Sequence, residues 1–401
     1  TTVNTAVGRA SGFSLTSGVG NTYMGDSTGY WNETGSSNTY IGNSAGAGVS
    51  GQNNSDNTSV GKYSLNGITT GGSNVAMGSG ALIAVTTQDG CVAIGKNALA
   101  GLNHDDADGT IAIGYLAGES ITSGIGNIAI GTYALDANNT SDYNTVVGHQ
   151  AGTNLTSTTA NSGNTLIGYQ SGLTASSGFD FNVALGYKAL YTNNNSANTA
   201  IGYLAGEDLT GQNNVFIGKE AGKNATNADS CVIIGSGAAI GVLASGANET
   251  VAIGASALAA LTGGTNIAIG YQAGILLTTG TLNTIIGHQA MDAADGVEQK
   301  NVAIGAYALG GMDEGSGNSD ANVAIGYNAG LSGAGEFANN VAIGGHALDG
   351  TAAQNVSNCV AIGYNALSGA AEDEVAGSVA IGRDALLVLT TGAENTAIGY
   401  Q

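Results

Sequence analysis

The sequence predicts an all-β fold: a parallel β-solenoid (left-handed β-roll or β-helix-like) of about 23 coils with a period of about 18 residues. Three observations predict it. A short phrase recurs from end to end, as NTAVGRA at 4–10, NTLIGYQ at 164–170, NTAIGYL at 198–204, NIAIGYQ at 266–272, NVAIGYN at 322–328 and NTAIGYQ at 395–401. Proline is absent, although average usage would supply roughly 20 in a chain of this length, so nearly every backbone N–H is wanted as a donor. No stretch escapes the repeat, which leaves no linker and no second domain: residues 1–401 read as one continuous array.

The glycine of each phrase serves as position zero, and 23 glycines run from Gly8, Gly25 and Gly42 to Gly363, Gly382 and Gly399 at spacings of 16 to 21. A period in this range marks a solenoid, whose units bury their apolar faces only by stacking on neighbours. With 22 steps of about 4.8 Å, the array is expected to be a rod roughly 105 Å long. The chain begins and ends inside a repeat, so it reads as a piece of a longer fibre protein.

Each column of the repeat has its own chemistry. Position −1 is aliphatic or Met throughout, and position −3 is always Val, Ile or Thr, as in Val302, Ile267 and Thr396. Side chains alternate along a strand, so these two share a face. Their β-branched, apolar character suits a half-buried strand, and this face is expected to line the coil interior. Position −2 is Ala in 15 copies, otherwise Tyr, Val, Leu, Phe, Ile or, once, Ser59. A strand face turned to water would carry Lys, Glu or Thr there. The alanines therefore predict a close contact with another chain, through Ala303, Ala324, Ala342 and Ala361 among others.

Position −4 is Asn in 17 copies, Cys in three, Thr in two and Ser in one, and stacked coils would bring these side chains into a hydrogen-bonded ladder. After the glycine, position +3 is Ala, Ser or Thr and position +4 mostly Gly or Leu. An apolar residue near +7, as in Leu15, Ile121, Leu155, Leu209 and Leu277, predicts a second, weaker strand. Length variation falls beyond it, in polar stretches such as DANNTSDY (136–143) and TNNNSAN (192–198), where insertions cost little.

The tandem pattern N-x-[AV]-[IV]-G-x-x-[AS] resembles the head repeat of trimeric autotransporter adhesins, and still more the NTAIGYQAL arrays of bacteriophage tail-fibre proteins. The resemblance covers the whole chain. It implies a left-handed β-roll with three chains side by side, hence a homotrimer, and an extracellular place on a virion tail fibre or a cell surface. The function it implies is a fibre shaft that holds or forms a host-attachment surface; the alternative is a bacterial adhesin or self-assembling extracellular filament.

Other chemistry is weakly represented. The net charge of −21, from 29 acids and 8 bases, disfavours nucleic acid and anionic membranes. No run of about 20 apolar residues predicts membrane insertion. Cys91, Cys231 and Cys359 all stand in the −4 column, seven or eight coils apart, roughly 35 Å against the ~6 Å that an intrachain disulfide needs. His149 and His288 occupy position +1 and read as surface residues, with His104 and His346 in coils of their own. No HExxH, CxxC or nucleophile elbow occurs, so no catalytic residue, cofactor or metal site is expected. The acidic clusters HDDADG (104–109) and MDEG (312–315) lack EF-hand spacing and read as solvated loop tips rather than calcium sites. The hexapeptide of acyltransferase β-helices is kept only once per coil, and an ice-binding Thr array is disfavoured because Thr occupies position −3 in only nine of 23 copies, on the face expected to look inward. Exposed Tyr at position +1 (Tyr115, Tyr169, Tyr187, Tyr203, Tyr271, Tyr327, Tyr364 and Tyr400) forms the candidate glycan contact, weighed against a role in covering the coil corner.

Overall fold

A computed structural model describes residues 3–104, 107–138, 140–155, 162–174, 178–312, 319–331, 337–350, 356–369, 375–389 and 392–400. The chain forms two compact units, residues 1–198 and 199–401. Each is a parallel β-solenoid. Among the described residues, the first holds eleven three-residue strands, from Thr5–Val7 to Val183–Leu185, and the second holds twelve, from Thr199–Ile201 to Thr396–Ile398. Within each unit every strand pairs in parallel with that of the next coil in unbroken register, as in Ala303↔Ala324 and Ala324↔Ala342.

The backbone ladder extends well past the strand. The N–H at −3 donates to the carbonyl at −4 of the following coil (Thr5 to Asn21, 2.8 Å), and the glycine N–H donates to the carbonyl at −1 of the preceding coil (Gly25 to Val7, 2.8 Å). Further on, Ser27 donates to Arg9 (2.9 Å) and Gly12 to Thr28 (2.8 Å). A proline at any of these positions would remove one rung, which accounts for its exclusion.

The turn after the strand has a fixed shape. The glycine at position zero takes φ between about +129° and +148°, for example +132° at Gly78, and a Cβ there would lie 2.5 Å from the carbonyl oxygen of Gly95 in the next coil. Conformation and close approach both demand glycine. Positions +2 and +4 are also left-handed, as at Gln150 (φ 54°) and Leu135 (φ 54°), and the +3 N–H bonds back to the glycine carbonyl (Ala134 to Gly131, 3.2 Å). This curl reverses the chain. The expected second strand near +7 is consequently a turn: Ile121, Leu155, Leu209 and Leu277 are buried, but each N–H donates to position +4 of its own coil at 3.1 Å rather than to a neighbouring coil. The one further strand pair, Phe337–Ala338 with Val356–Ser357, lies seven and six residues before the glycine.

The strand faces are the reverse of the expectation. In every three-residue strand the two outer residues, −3 and −1, are half-buried or exposed, while the central residue is buried in all but Thr5–Val7 and Thr396–Ile398. Ala303, Ala324, Ala342 and Ala361 are at most 1% exposed within the single chain. They form its core and cannot contact another copy. The reason is the geometry of the coil. One short strand closed by a tight turn points its central side chain inward, where it shares a narrow space with the +3 alanines and the residue at +4.

Volume is balanced across that gap. Where −2 is Ala, +4 is often a buried Leu, as in Ala76 with Leu82, Ala93 with Leu99 and Ala303 with Leu309. Where −2 is Tyr, Phe, Leu or Val, +4 is Gly, whereas Ile233 and Ile285 stand with Ala239 and Met291: a Cβ at Gly29 would sit 2.8 Å from the Tyr23 ring, and one at Gly222 would sit 2.6 Å from the Phe216 ring. Interiors tolerate neither a void nor an overlap of this size.

Gly78→Ala is expected to lower stability by well over the ~1–3 kcal/mol of backbone strain alone, because the neighbouring backbone must also move. Gly263→Ala, where a Cβ meets nothing within 4 Å, should stay within about 0.5 kcal/mol of the parent. Denaturant unfolding of the two variants checks the contrast.

Candidate functional site

Three columns run along each unit, and they differ in whether they serve the inside of the coil or its surroundings. The first is the buried ladder at −4. The Asn side chain accepts from the N–H of the −4 residue in the next coil, as Asn21 Oδ1 does from Asn38 (2.9 Å) and Asn144 Oδ1 from Asn164 (3.1 Å). Its Nδ2 donates to a carbonyl about 14 residues on, as from Asn74 to Gln88 (2.7 Å) and from Asn127 to Ser141 (2.8 Å). The ladder is thus a side-chain-to-backbone chain with amide-to-amide bonds added at some rungs, such as Asn144 Nδ2 to Asn127 Oδ1 at 3.0 Å. Each amide satisfies backbone groups that water cannot reach.

The cysteines belong to this ladder. All three are buried and free. Burial pushes the Cys91 thiol up to about 11, against the opposing effect of hydrogen bonds from the backbone of Thr110 and Gly109. Cys231 and Cys359 are raised for the same reason, with Thr250 and Ser378 in the place of Thr110. Each Cys is therefore followed, one coil later, by the hydroxyl residue that interrupts the Asn column, and the ladder resumes with Asn127, Asn266 and Asn395.

A reciprocal set of bonds lies two residues earlier, at −6, which the sequence did not single out. Asp89 accepts from the N–H of Gly72 (2.5 Å), Asp108 from Asp89 (2.7 Å), Asp142 from Ile125 (2.8 Å) and Asp320 from Gln299 (2.8 Å). Here the carboxylate serves the preceding coil, opposite in sense to the Asn ladder. Several loop acids are thus occupied in holding backbone. Among the described residues no group of three or more His, Cys, Asp or Glu could hold a metal ion. Residues 105–106 and 313–315 of the two acidic clusters lie outside the described residues.

The second column is aromatic and exposed. Tyr169 lies between His149 (5.5 Å) and Tyr187 (5.1 Å) with nearly parallel rings. Tyr115 meets Tyr133 edge to face at 5.5 Å. In the second unit the run Tyr271, His288, Tyr307, Tyr327, His346, Tyr364 is continuous, with centroids 5.2 to 6.0 Å apart, and the Arg383 guanidinium lies 5.7 Å from the Tyr364 ring. Tyr307 and His346 stand at +2 rather than +1. They fill the space beside Ala306 and Gly345, a compensation visible in the sequence once both positions are read together. Tyr203 is exposed as well. The stacked rings cover one another's faces along the coil axis, which is how a corner ladder stabilises neighbouring coils. Stacked Tyr169 has both faces covered, which leaves its edge for any sugar ring.

The third column is the outward strand face. Its two positions in each of 23 strands carry Val, Ile, Leu, Met or Thr and no charge at all, in a chain of net charge −21. Ile267, Ile269 and Ile325 are between 37% and 41% exposed, and a shallow groove of about 200 Å³ is lined by Thr265, Asn266, Ile267, Leu282, Asn283 and Thr284. A contiguous apolar strip of this kind is a feature of interaction sites.

No protein-family model matches the chain, and no curated protein matches it either. Among the described residues no helix is long and apolar enough to cross a membrane.

Asn144→Ala should cost about 1–3 kcal/mol, the penalty for leaving the buried Asn164 N–H without an acceptor, and hydrogen exchange at Asn164 should accelerate accordingly. Asp136 supplies a pH test. Burial first, and then Glu119, push its carboxyl up to about 6, and its Oδ1 has no hydrogen-bond partner among the described residues. An acid raised in the folded state favours folding below its ordinary pKa and loses that contribution as pH rises through the raised value. Asp136→Asn is therefore expected to raise the melting temperature at pH 7 and to have little effect at pH 4.

Proposed function

We propose that the protein is a structural shaft, a segment of a self-assembling extracellular fibre in which copies of the chain pack along their outward strand faces, most simply as a homotrimer. The observation that carries this reading is the uncharged aliphatic strip. It persists without a charge through every strand of both units, in a chain of net charge −21. β-branched residues suit a half-buried strand, but strand propensity alone would admit Lys or Glu at some of these positions, and none occurs. The uniformity of the coils supports the same reading, because a solenoid's stability is close to a sum over units and their interfaces. So does the resemblance of the repeat to phage tail-fibre arrays and adhesin heads. A virion tail fibre is the setting proposed here, with a bacterial surface filament as the alternative. The contact is assigned to the −3 and −1 positions, in place of the alanines at −2.

A host-surface glycan or protein is the proposed partner for such a fibre. Covered ring faces in the stacked tyrosines favour the corner-forming role over sugar binding for Tyr169, and a glycan array with the intact chain tests that role for the remaining tyrosines.

Two adjacent substitutions separate interior from contact. Ile325→Lys places a charge on the outward face and should yield a folded species of lower mass in sedimentation equilibrium. Ala324→Lys places the charge in the coil interior and should disrupt the fold itself, with lost β-sheet circular dichroism. A parent chain that sediments as a stable monomer at micromolar concentration would overturn the assembly reading.

A further inference from the structure

The outward strip is nearly the same in every coil, and that creates a difficulty for any partner that is itself a copy. Position −1 is Ile in most strands and position −3 alternates among Val, Ile and Thr. Sliding one copy past another by one coil, about 4.8 Å, exchanges each contact for an almost identical one. A strip of this kind supplies adhesion without specifying alignment.

The column at position −5 breaks the uniformity. It is left-handed in nearly every described coil and is filled largely by Gly, Ser, Asn and Asp, the residues that accept this conformation most readily. Ala197, Glu249, Lys300, Ala321 and Glu394 depart from that pattern, and Tyr143 (φ 56°) and Phe181 (φ 58°), both in the first unit, are its aromatic exceptions. A bulky residue in this conformation carries strain, and where the fold places one at +4, as at Leu65 (φ 50°) and Leu82 (φ 50°), the side chain is buried. Neither ring repays it by burial, since Tyr143 is 64% and Phe181 61% exposed. Each ring lies against a glycine of the preceding coil: a Cβ at Gly126 would stand 3.0 Å from the Tyr143 ring, and one at Gly163 would stand 3.2 Å from the Phe181 ring. Leu282 (φ 61°) is the counterpart in the second unit, where it shares a groove with Ile267 of the strip, so the −5 column borders the outward face. Beside Phe181, Val183 and Leu185 are exposed too, at 36% and 43%.

We propose that Tyr143 and Phe181 are register anchors: they dock against a second copy of this chain and fix its axial alignment along the outward strand face. The inference rests on the packing of copies along that face proposed above. The charge pattern favours a copy as the occupant, because an uncharged strip on a strongly acidic chain matches another uncharged strip and offers nothing to a basic partner. The area agrees. A strip about 10 Å wide over the eleven strands of the first unit gives roughly 500 Å², or about 1,000 Å² counted over both partners, the area at which a specific interface begins. Large aromatics at irregular intervals would then act as a single polar residue does in a coiled-coil seam, penalising every slipped alignment.

The test uses the full chain with Lys62→Cys as a spin-label site; the native thiols are buried and remain unlabelled in the folded protein. Sedimentation first establishes the assembled mass. Dipolar distances between labels on different copies are then compared in the parent background and in Tyr143→Asn/Phe181→Asn, where Asn suits the left-handed backbone. One narrow distance is expected in the parent, and several populations displaced in steps of about one strand spacing in the double variant. Phe181→Tyr should retain the narrow distance. Assembled protein with the same narrow distance in both backgrounds overturns the anchor assignment. A chain that does not assemble in either background overturns the packing reading instead, and the anchor assignment with it.

Discussion

The structure depends on one constraint: each coil must lie a single hydrogen bond above the next along almost its whole contour. The backbone ladder continues from the strand through the glycine and around the turn, as the bonds from Thr5 to Asn21, Gly25 to Val7 and Gly12 to Thr28 illustrate. Glycine at position zero, left-handed residues at +2 and +4, and the exclusion of proline follow from that requirement. So does the thin core. A coil that closes in about 17 residues around one short strand has a narrow interior, filled by Ala with Leu, by Tyr or Phe with Gly, or by Ile285 with Met291.

A narrow interior also explains how polar groups are used. Coil-to-coil bonding leaves the N–H at −4 and nearby loop carbonyls without backbone partners, and the Asn column satisfies both with one amide. The −6 acids and serines satisfy the neighbouring donors in the opposite sense. Cys, Thr and Ser enter the Asn column as a set: a thiol that donates to a carbonyl of the next coil, as Cys359 does to Val375 (3.1 Å), is followed by a hydroxyl, and Ser378 Oγ accepts from the N–H of Asn395 (3.2 Å) where the ladder resumes. These residues have the chemistry of ligands and nucleophiles, yet their atoms are engaged in holding backbone. The columns left to meet the surroundings are the aromatic corner and the apolar strand face.

Sequence alone determined the architecture. Period, glycine column, aliphatic strand positions and missing proline specify a stack of parallel coils, since no other arrangement gives each of 23 phrases the same environment. The buried Asn ladder and the corner tyrosines were legible for the same reason. Only the tertiary structure decided which strand face is inside. Alternation says that −2 and −4 share one face and −1 and −3 the other, but hydrophobicity pointed to the aliphatic face as the interior. Coil geometry reversed it: the turn folds position +4 back across the strand onto −2, so that Ala303 packs with Leu309 and Ala342 with Leu348 inside, while −1 and −3 stay on the outer side. The clue lay in two columns read jointly, a large −2 residue with Gly at +4 (Tyr23 with Gly29, Phe216 with Gly222) and a small one with Leu. That pairing has meaning only once the turn is known to fold position +4 back across the strand, a contact that sequence spacing does not reveal and packing does.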